Sequence, residues 1–318
     1  MNAPKNIAVL AIKFRAIVIF NLFFVLVTGF QTPAQAALPI QHWTQPNGAR
    51  IYLVESPAIA TVDVQIDFDG GSRRDSADKA GLASVMASLV DKRVLAKPGA
   101  SALTENDLND AWADLGAQFG GGAGPDTLSF LLRSLTNPDL LDKAVALAAR
   151  ELAEPAFPDA IWQRESQRLI AALKESDTRP GSVVSRAFAK AVYGARPYGF
   201  VLSPASVAAI ILQTRPDQAD QALGLVRQVV SEFVANGPTV AELQAAKDNL
   251  IGGFALRLDT NCKLLDNLAG SAWNDLPLNY LETWTQHIDK VTVTEITAAV
   301  ARKLQPEKMA TVVLGATP

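Results

Sequence analysis

Imidazole and thiol are the scarcest groups in this 318-residue chain: it has two histidines, His42 and His287, and one cysteine, Cys262. A self-contained zinc centre needs three protein ligands and usually a nearby general base. No H-x-x-x-H spacing exists to start one, and both histidines read as surface residues. The same shortage removes Ser-His-Asp and Cys-His nucleophiles, and no G-x-S-x-G is present. Paired Asp-Thr/Ser-Gly segments are missing too, since Asp259-Thr260-Asn261 is not one. Basic excess is also lacking. The net charge is −3, which argues against a phosphate-binding surface and hence against nucleic acid as a partner. What the chain does have is core: 49% of its residues are hydrophobic, with 13 Phe and 5 Trp, which excludes a disordered solvating chain.

The N-terminus indicates the compartment. Lys5, Lys13 and Arg15 precede an apolar run over 16–29, followed by Ala34-Gln35-Ala36. A basic start, a short apolar core and an A-x-A exit predict a secretory signal peptide over 1–36. The run falls short of the roughly 20 residues that a bilayer core needs, so no stable membrane insertion is expected. A lone cysteine in an oxidising compartment has no internal partner, so Cys262 is expected to be a small buried hydrophobe.

Along the mature chain, 50–55 and 61–69 read as a pair of strands, the second alternating apolar and polar. A helix over 80–92 carries Leu82, Val85, Met86 and Leu89 on one stripe. Thr104 to Asp107 is a capping pattern ahead of a helix over 108–115. Strands at 118–119 and 127–132 flank the glycines of 120–124, which read as a turn or flexible loop, or else as a loop facing substrate or a partner. Without a following Gly-Lys-Ser/Thr, and with Pro125 next, this is no phosphate cradle. Helices over 140–152 and 159–176 follow, split by a proline-rich break. A short strand at 210–213, helices over 218–234 and 240–257, a helix ending at Leu304 and a strand over 309–314 complete the pass. Strand, helix, proline break and helix thus recur at an offset of about 80 residues, which suggests two related α+β domains.

The order of these segments resembles the M16 family of metallopeptidases (insulinase, pitrilysin and processing-peptidase type), in particular its periplasmic bacterial subunits. The resemblance rests on Asn47-Gly48, Asp69-Gly70-Gly71-Ser72-Arg73, Lys79-Ala80-Gly81-Leu82-Ala83, the 155–158 Pro-Ala-Phe-Pro and Arg196-Pro197-Tyr198-Gly199. It continues through Ser206 to Ile210, Glu242 to Lys247, Gly253 to Arg257 and Leu276 to Tyr280. It implies an M16-type (LuxS/metallohydrolase-like) α+β fold of antiparallel sheet and helices in two related domains, 37–210 and 211–318. The end of the first and the beginning of the second are absent at their junction.

In active relatives the helix after Gly81-Leu82-Ala83 carries H-x-x-E-H, and a later helix supplies a metal-binding Glu. Here Ser84, Ala87 and Ser88 stand at the first set of positions and Ala172 at the last. The resemblance therefore implies no metal, no cofactor and no catalytic residue of its own. It implies instead a non-catalytic subunit that contacts peptide and forms a heterodimer with a zinc-bearing M16 paralogue in periplasmic proteolysis. The backbone at Gly120, Gly121 and Gly122 falls where active members have an edge strand, and could pair with an extended peptide. The Arg and Tyr by which metal-free partners grip substrate have no counterpart; Arg257 and Tyr280 read as structural. The alternatives are a degenerate truncated remnant and a peptide-binding scaffold with no protease role.

Overall fold

An Asn-Gly pair between two short apolar runs is a strong hairpin signal, and the structure places one there. The computed structural model describes residues 39–56, 59–194, 210, 212 and 214–315. The leader and the expected domain junction lie outside these residues. The chain divides into two units, the first ending at Val54 and the second beginning at Glu55. In the first, β1 (Ile40–Thr44) pairs antiparallel with β2 (Arg50–Val54), and Gly48 turns the chain at φ 89°. His42 is exposed on β1 and stacks on Tyr52, its cross-strand partner, with ring centroids 4.4 Å apart.

The expected pairing of 50–55 with 61–69 does not occur. β3 (Thr61–Phe68) instead pairs along its whole length with β5 (Leu128–Leu135), from Thr61 opposite Leu135 to Phe68 opposite Leu128. This register puts Val64 and Ile66 opposite Leu132 and Phe130 on one face, and β5 buries every second residue there. The local hairpin satisfies β2, and the non-local apolar face claims β3.

β4 (Gln118–Ala123) completes a three-stranded sheet in the order β3-β5-β4 and runs straight through the glycine cluster. The turn reading of Gly120 to Gly122 is thereby overturned. The turn comes later, where the Gly124 N–H donates to the Thr127 carbonyl at 2.8 Å. Packing overrides the poor strand propensity of glycine here. Phe119 stacks between Trp112 and Phe130, at centroid distances of 5.7 and 6.0 Å, and anchors the strand just ahead of its glycines.

Three helices cover the buried face of the sheet: α1 (Leu82–Leu89), α2 (Glu105–Leu115) and α3 (Pro138–Ala153). Thr104 and Asp107 form the expected capping box on α2, and the Asn137 side chain caps α3 ahead of Pro138. Ala87 and Val90 pack with Leu128 and Phe130, Ala144 and Ala148 with Leu132, and Val94 with Leu108 and Leu147. Two further helices follow, α4 (Asp159–Ser176) and α5 (Pro180–Tyr193).

From Pro216 onward the described residues contain helices and no strand. They are α6 (Ala219–Asn236), α7 (Val240–Gly252), α8 (Asn261–Trp273), α9 (Tyr280–Lys290) and α10 (Val293–Lys303). Capping boxes at Thr239/Glu242 and Thr292/Glu295 start α7 and α10. Neither Ile210 nor Leu212, nor the segment over 309–314, forms the expected strand. Among the described residues the sheet ends at β4 and β3, and these segments extend neither edge. Cys262 also departs from expectation. It is exposed at the start of α8, with its sulfur 3.9 Å from Asp63 Oδ1, because the apolar stripe of α8 turns Leu268 inward instead. His287 is exposed on α9, as its polar surroundings suggested.

Candidate functional site

A glycine without room for a Cβ marks a close approach of two backbones, and Gly71 is such a position. A Cβ there would lie 2.4 Å from the Asp126 carbonyl carbon. The loop over 70–73 therefore lies flat on the β4–β5 turn. Gly71, Ser72 and Arg73 donate their N–H groups to the carbonyls of Asp126, Gly124 and Pro125, at 3.2, 3.0 and 3.0 Å. Arg73 also reaches Asp69 at 2.8 Å and Asp126 at 3.2 Å. Hydrogen bonds from Arg74 and then Arg73 hold the Asp69 carboxyl below its ordinary range. Two residues on, Asp75 caps α1, accepting from the Gly81 N–H at 2.9 Å and the Ala83 N–H at 3.2 Å. One short segment thus fixes both the start of α1 and the end of β4.

The consequence is that α1 lies against β4, so two of the three groups of candidate residues share one corner of the fold. Ser84 and Ser88 stand one turn apart on the same flank of α1. Ser84 is exposed, while Ser88 is half-buried and donates its hydroxyl to the Val85 carbonyl at 2.8 Å. Ala87 points the other way, into the core, and is only 4% exposed among Val90, Leu128 and Phe130. On β4 the glycines alternate. Gly121 faces the Phe130 ring, whereas Gly120 and Gly122 have open space where a Cβ would stand. Among the described residues β4 is an edge strand, and its outer rim carries backbone groups not used by the ladder.

Ala172 is exposed on α4. That helix joins the corner through a chain of charges rather than extensive packing on α1 or β4. Arg168 and Arg164 bind the buried Glu165 at 2.7 and 2.9 Å; Arg164 continues to Glu105 at 2.8 Å, and Lys92 meets Glu105 at 3.2 Å. The Arg168 hydrogen bond, against the burial that would raise it, and then Arg164 keep the Glu165 carboxyl below its ordinary range. This chain is not legible in sequence, because arginines and glutamates at helical spacing read as a solvated face.

The resemblance to M16 peptidases implies a zinc ion held between these helices, so the donor set is the test. Two hydroxyls and two methyl groups offer neither imidazole nor carboxylate, and zinc in proteins is held by Cys, His and Asp/Glu side chains. Among the described residues, no group of three or more His, Cys, Asp or Glu side chains is placed to hold a metal. The residues present do not fit the ion, and no water-activating carboxylate stands on α1.

Comparison with known proteins places this geometry. No family model matches the chain. A segment of 85 residues, 27% of the chain, is 34% identical to the non-peptidase homolog YmxG of Helicobacter pylori, and the match spans 20% of that protein. Among solved structures, the peptidase M16 inactive domain from Pseudomonas fluorescens superposes with a TM-score of 0.76 at 20% identity, covering 88% of this chain and 100% of that one. A protease from Helicobacter pylori gives 0.70 at 12% identity, over 86% and 98% of the two chains. The periplasmic protease PqqL from Escherichia coli gives 0.66 at 13%, over 83% of this chain and 44% of that one. The chain has the M16 peptidase fold, and it resembles inactive M16 domains.

Proposed function

We propose that this chain is a non-catalytic M16-type subunit that holds peptide and pairs with a zinc-bearing M16 peptidase in the periplasm. The observation that carries the reading is the corner itself. α1 is capped, packed and seated against an edge strand, yet Ser84, Ala87 and Ser88 leave it without a donor for zinc or a base for water. The edge of β4, with Gly120 and Gly122 bare of side chains, suits an extended peptide adding as a further strand. Residues 37–210 and 211–318 are then two M16-like halves, each lacking the part that would adjoin the other. Export by the leader over 1–36 supplies the compartment. No helix among the described residues is long and apolar enough to cross a membrane.

The test is reconstitution. Mixed with an exported paralogue carrying H-x-x-E-H, the chain should co-elute with it and raise its cleavage of unstructured peptides in a saturable, roughly equimolar manner. The reading is lost if neither elution nor rate changes across a concentration series. A second reading, a degenerate remnant, has its own observation: the helices α6 to α10 bury only Leu268 and Leu281, while Leu225 and Val229 stand 59% and 54% exposed on α6. A single cooperative thermal transition in the purified chain would argue against that remnant.

A further inference from the structure

A carboxyl group with no access to water and only one hydrogen bond is costly to ionise, and Glu151 on α3 is in that position. It is fully buried. Its Oε1 accepts from the Trp112 indole N–H of α2 at 2.7 Å, while its Oε2 is buried without a hydrogen-bond partner. A third element, the 3-10 turn over Val90–Lys92, continues α1 without a break and packs against both α2 and α3. It brings Asp91, whose Oδ1 is buried and makes no hydrogen bond, although Lys92 Nζ lies 3.2 Å from it.

The other charged groups around the site are already engaged. Glu105 of α2 is shared by Lys92 and Arg164, and Arg150 of α3 pairs with Glu154 at 3.4 Å. Lys92 is the cation that faces this site, and Asp91 and Glu105 already share it, so a second negative charge beside Asp91 would be poorly compensated.

We propose that Glu151 is a proton-operated tie: as the neutral acid it fastens α3 to α2 and to the turn that ends α1, and loss of its proton to water drives the Asp91 turn outward. Movement of that turn pulls on α1 and so on the flank that carries Ser84 and Ser88. The inference concerns the fold of this chain and does not depend on the proposed pairing. Burial in the first place raises the Glu151 carboxyl, the Trp112 hydrogen bond opposes this, and the Asp91 charge adds to the rise against Lys92. The result is about 7 instead of 4.5. The sign follows from linkage. In an opened state the carboxyl ionises near 4.5, so the closed state is favoured at low pH and loses ground as pH rises from there to about 7.

The test uses the full chain at pH 5.5 and pH 8.5. Amide hydrogen exchange is followed in segments 82–92 and 105–115 after correction for the intrinsic pH dependence of exchange. Protection should fall about 30-fold between the two pH values, at tenfold per unit until the closed-state carboxyl ionises. Glu151→Gln, which keeps an acceptor for Trp112, should abolish the fall and remove the infrared carbonyl band of a protonated carboxylic acid seen at pH 5.5. Should that variant not fold, Asp91→Asn provides the check, since it removes the repelling charge and should move the midpoint to lower pH. Equal protection at both pH values in the parent chain, or an undiminished response in Glu151→Gln, would overturn the proposal. So would an unmoved midpoint in Asp91→Asn.

Discussion

Gly121→Val is expected to cost about 3 kcal/mol of stability, the upper part of the range for forcing extra atoms into a packed site. A Cβ at this position would stand 2.4 and 2.5 Å from two carbons of the Phe130 ring. That ring cannot yield. It is 2% exposed, lies parallel to Phe119 at 6.0 Å and meets Phe68 edge-on at 6.1 Å. The neighbouring positions behave oppositely. Gly120 and Gly122 meet nothing within 4 Å, so valine there adds β-propensity without a clash and should leave stability unchanged or raise it by some tenths of a kcal/mol. Urea unfolding of the three variants reads the pattern directly. A Gly121→Val chain as stable as the parent would mean that β4 does not lie on Phe130 at all.

The same variants separate structure from peptide capture. Gly120→Val and Gly122→Val crowd the bare outer face of β4 while preserving the fold, and should weaken binding of an extended peptide. Unchanged binding in both would remove β4 as the docking strand and leave the packing argument for Gly121 intact.

How far the fold was legible follows from where each signal resides. Capping pairs are local, so Thr104/Asp107 and the Asn137-Pro138 start of α3 could be read from spacing alone. The hairpin turn at Asn47-Gly48 is a local signal too, but β1 lacks an apolar pattern of its own, so the sequence pattern pairs β2 with 61–69 instead. Strand character in the glycine stretch was legible only through the resemblance, because it comes from aromatic rings at 112, 119 and 130 that the chain brings together only on folding. The Glu151–Trp112 bond spans 39 residues and two helices, and nothing in either helix's periodicity points to it. Cys262 was judged by its residue type and compartment, and the orientation of α8 decided otherwise. The assignment of Ser84, Ala87 and Ser88 to the motif positions rests on the resemblance alone. Composition excluded a histidine cluster, but it could not say which serines and alanines stood in its stead.

Introducing the side chains of the H-x-x-E-H motif at the positions the resemblance assigns should fail in a specific way. Ser84→His and Ser88→His place imidazoles on the accessible flank of α1 and should leave folding nearly intact, since Ser84 is exposed and Ser88 half-buried. Ala87→Glu is different. Ala87 is 4% exposed and packed among Val90, Leu128 and Phe130, where a carboxylate finds neither water nor a cation. Burying an unpaired charge there should cost about 3–5 kcal/mol, a large share of the stability of a domain this size. Thermal denaturation of the two-histidine chain and of the chain with the added glutamate distinguishes these effects. A well-folded Ala87→Glu variant with parental stability would mean that α1 can turn residue 87 out of the core, and the corner would then be open to a base at that position. Collapse of Ala87→Glu beside a stable two-histidine chain would mean that the core has closed over the position where relatives keep their base. On that outcome adding the ligands alone would not create a zinc site, because the packing excludes the base.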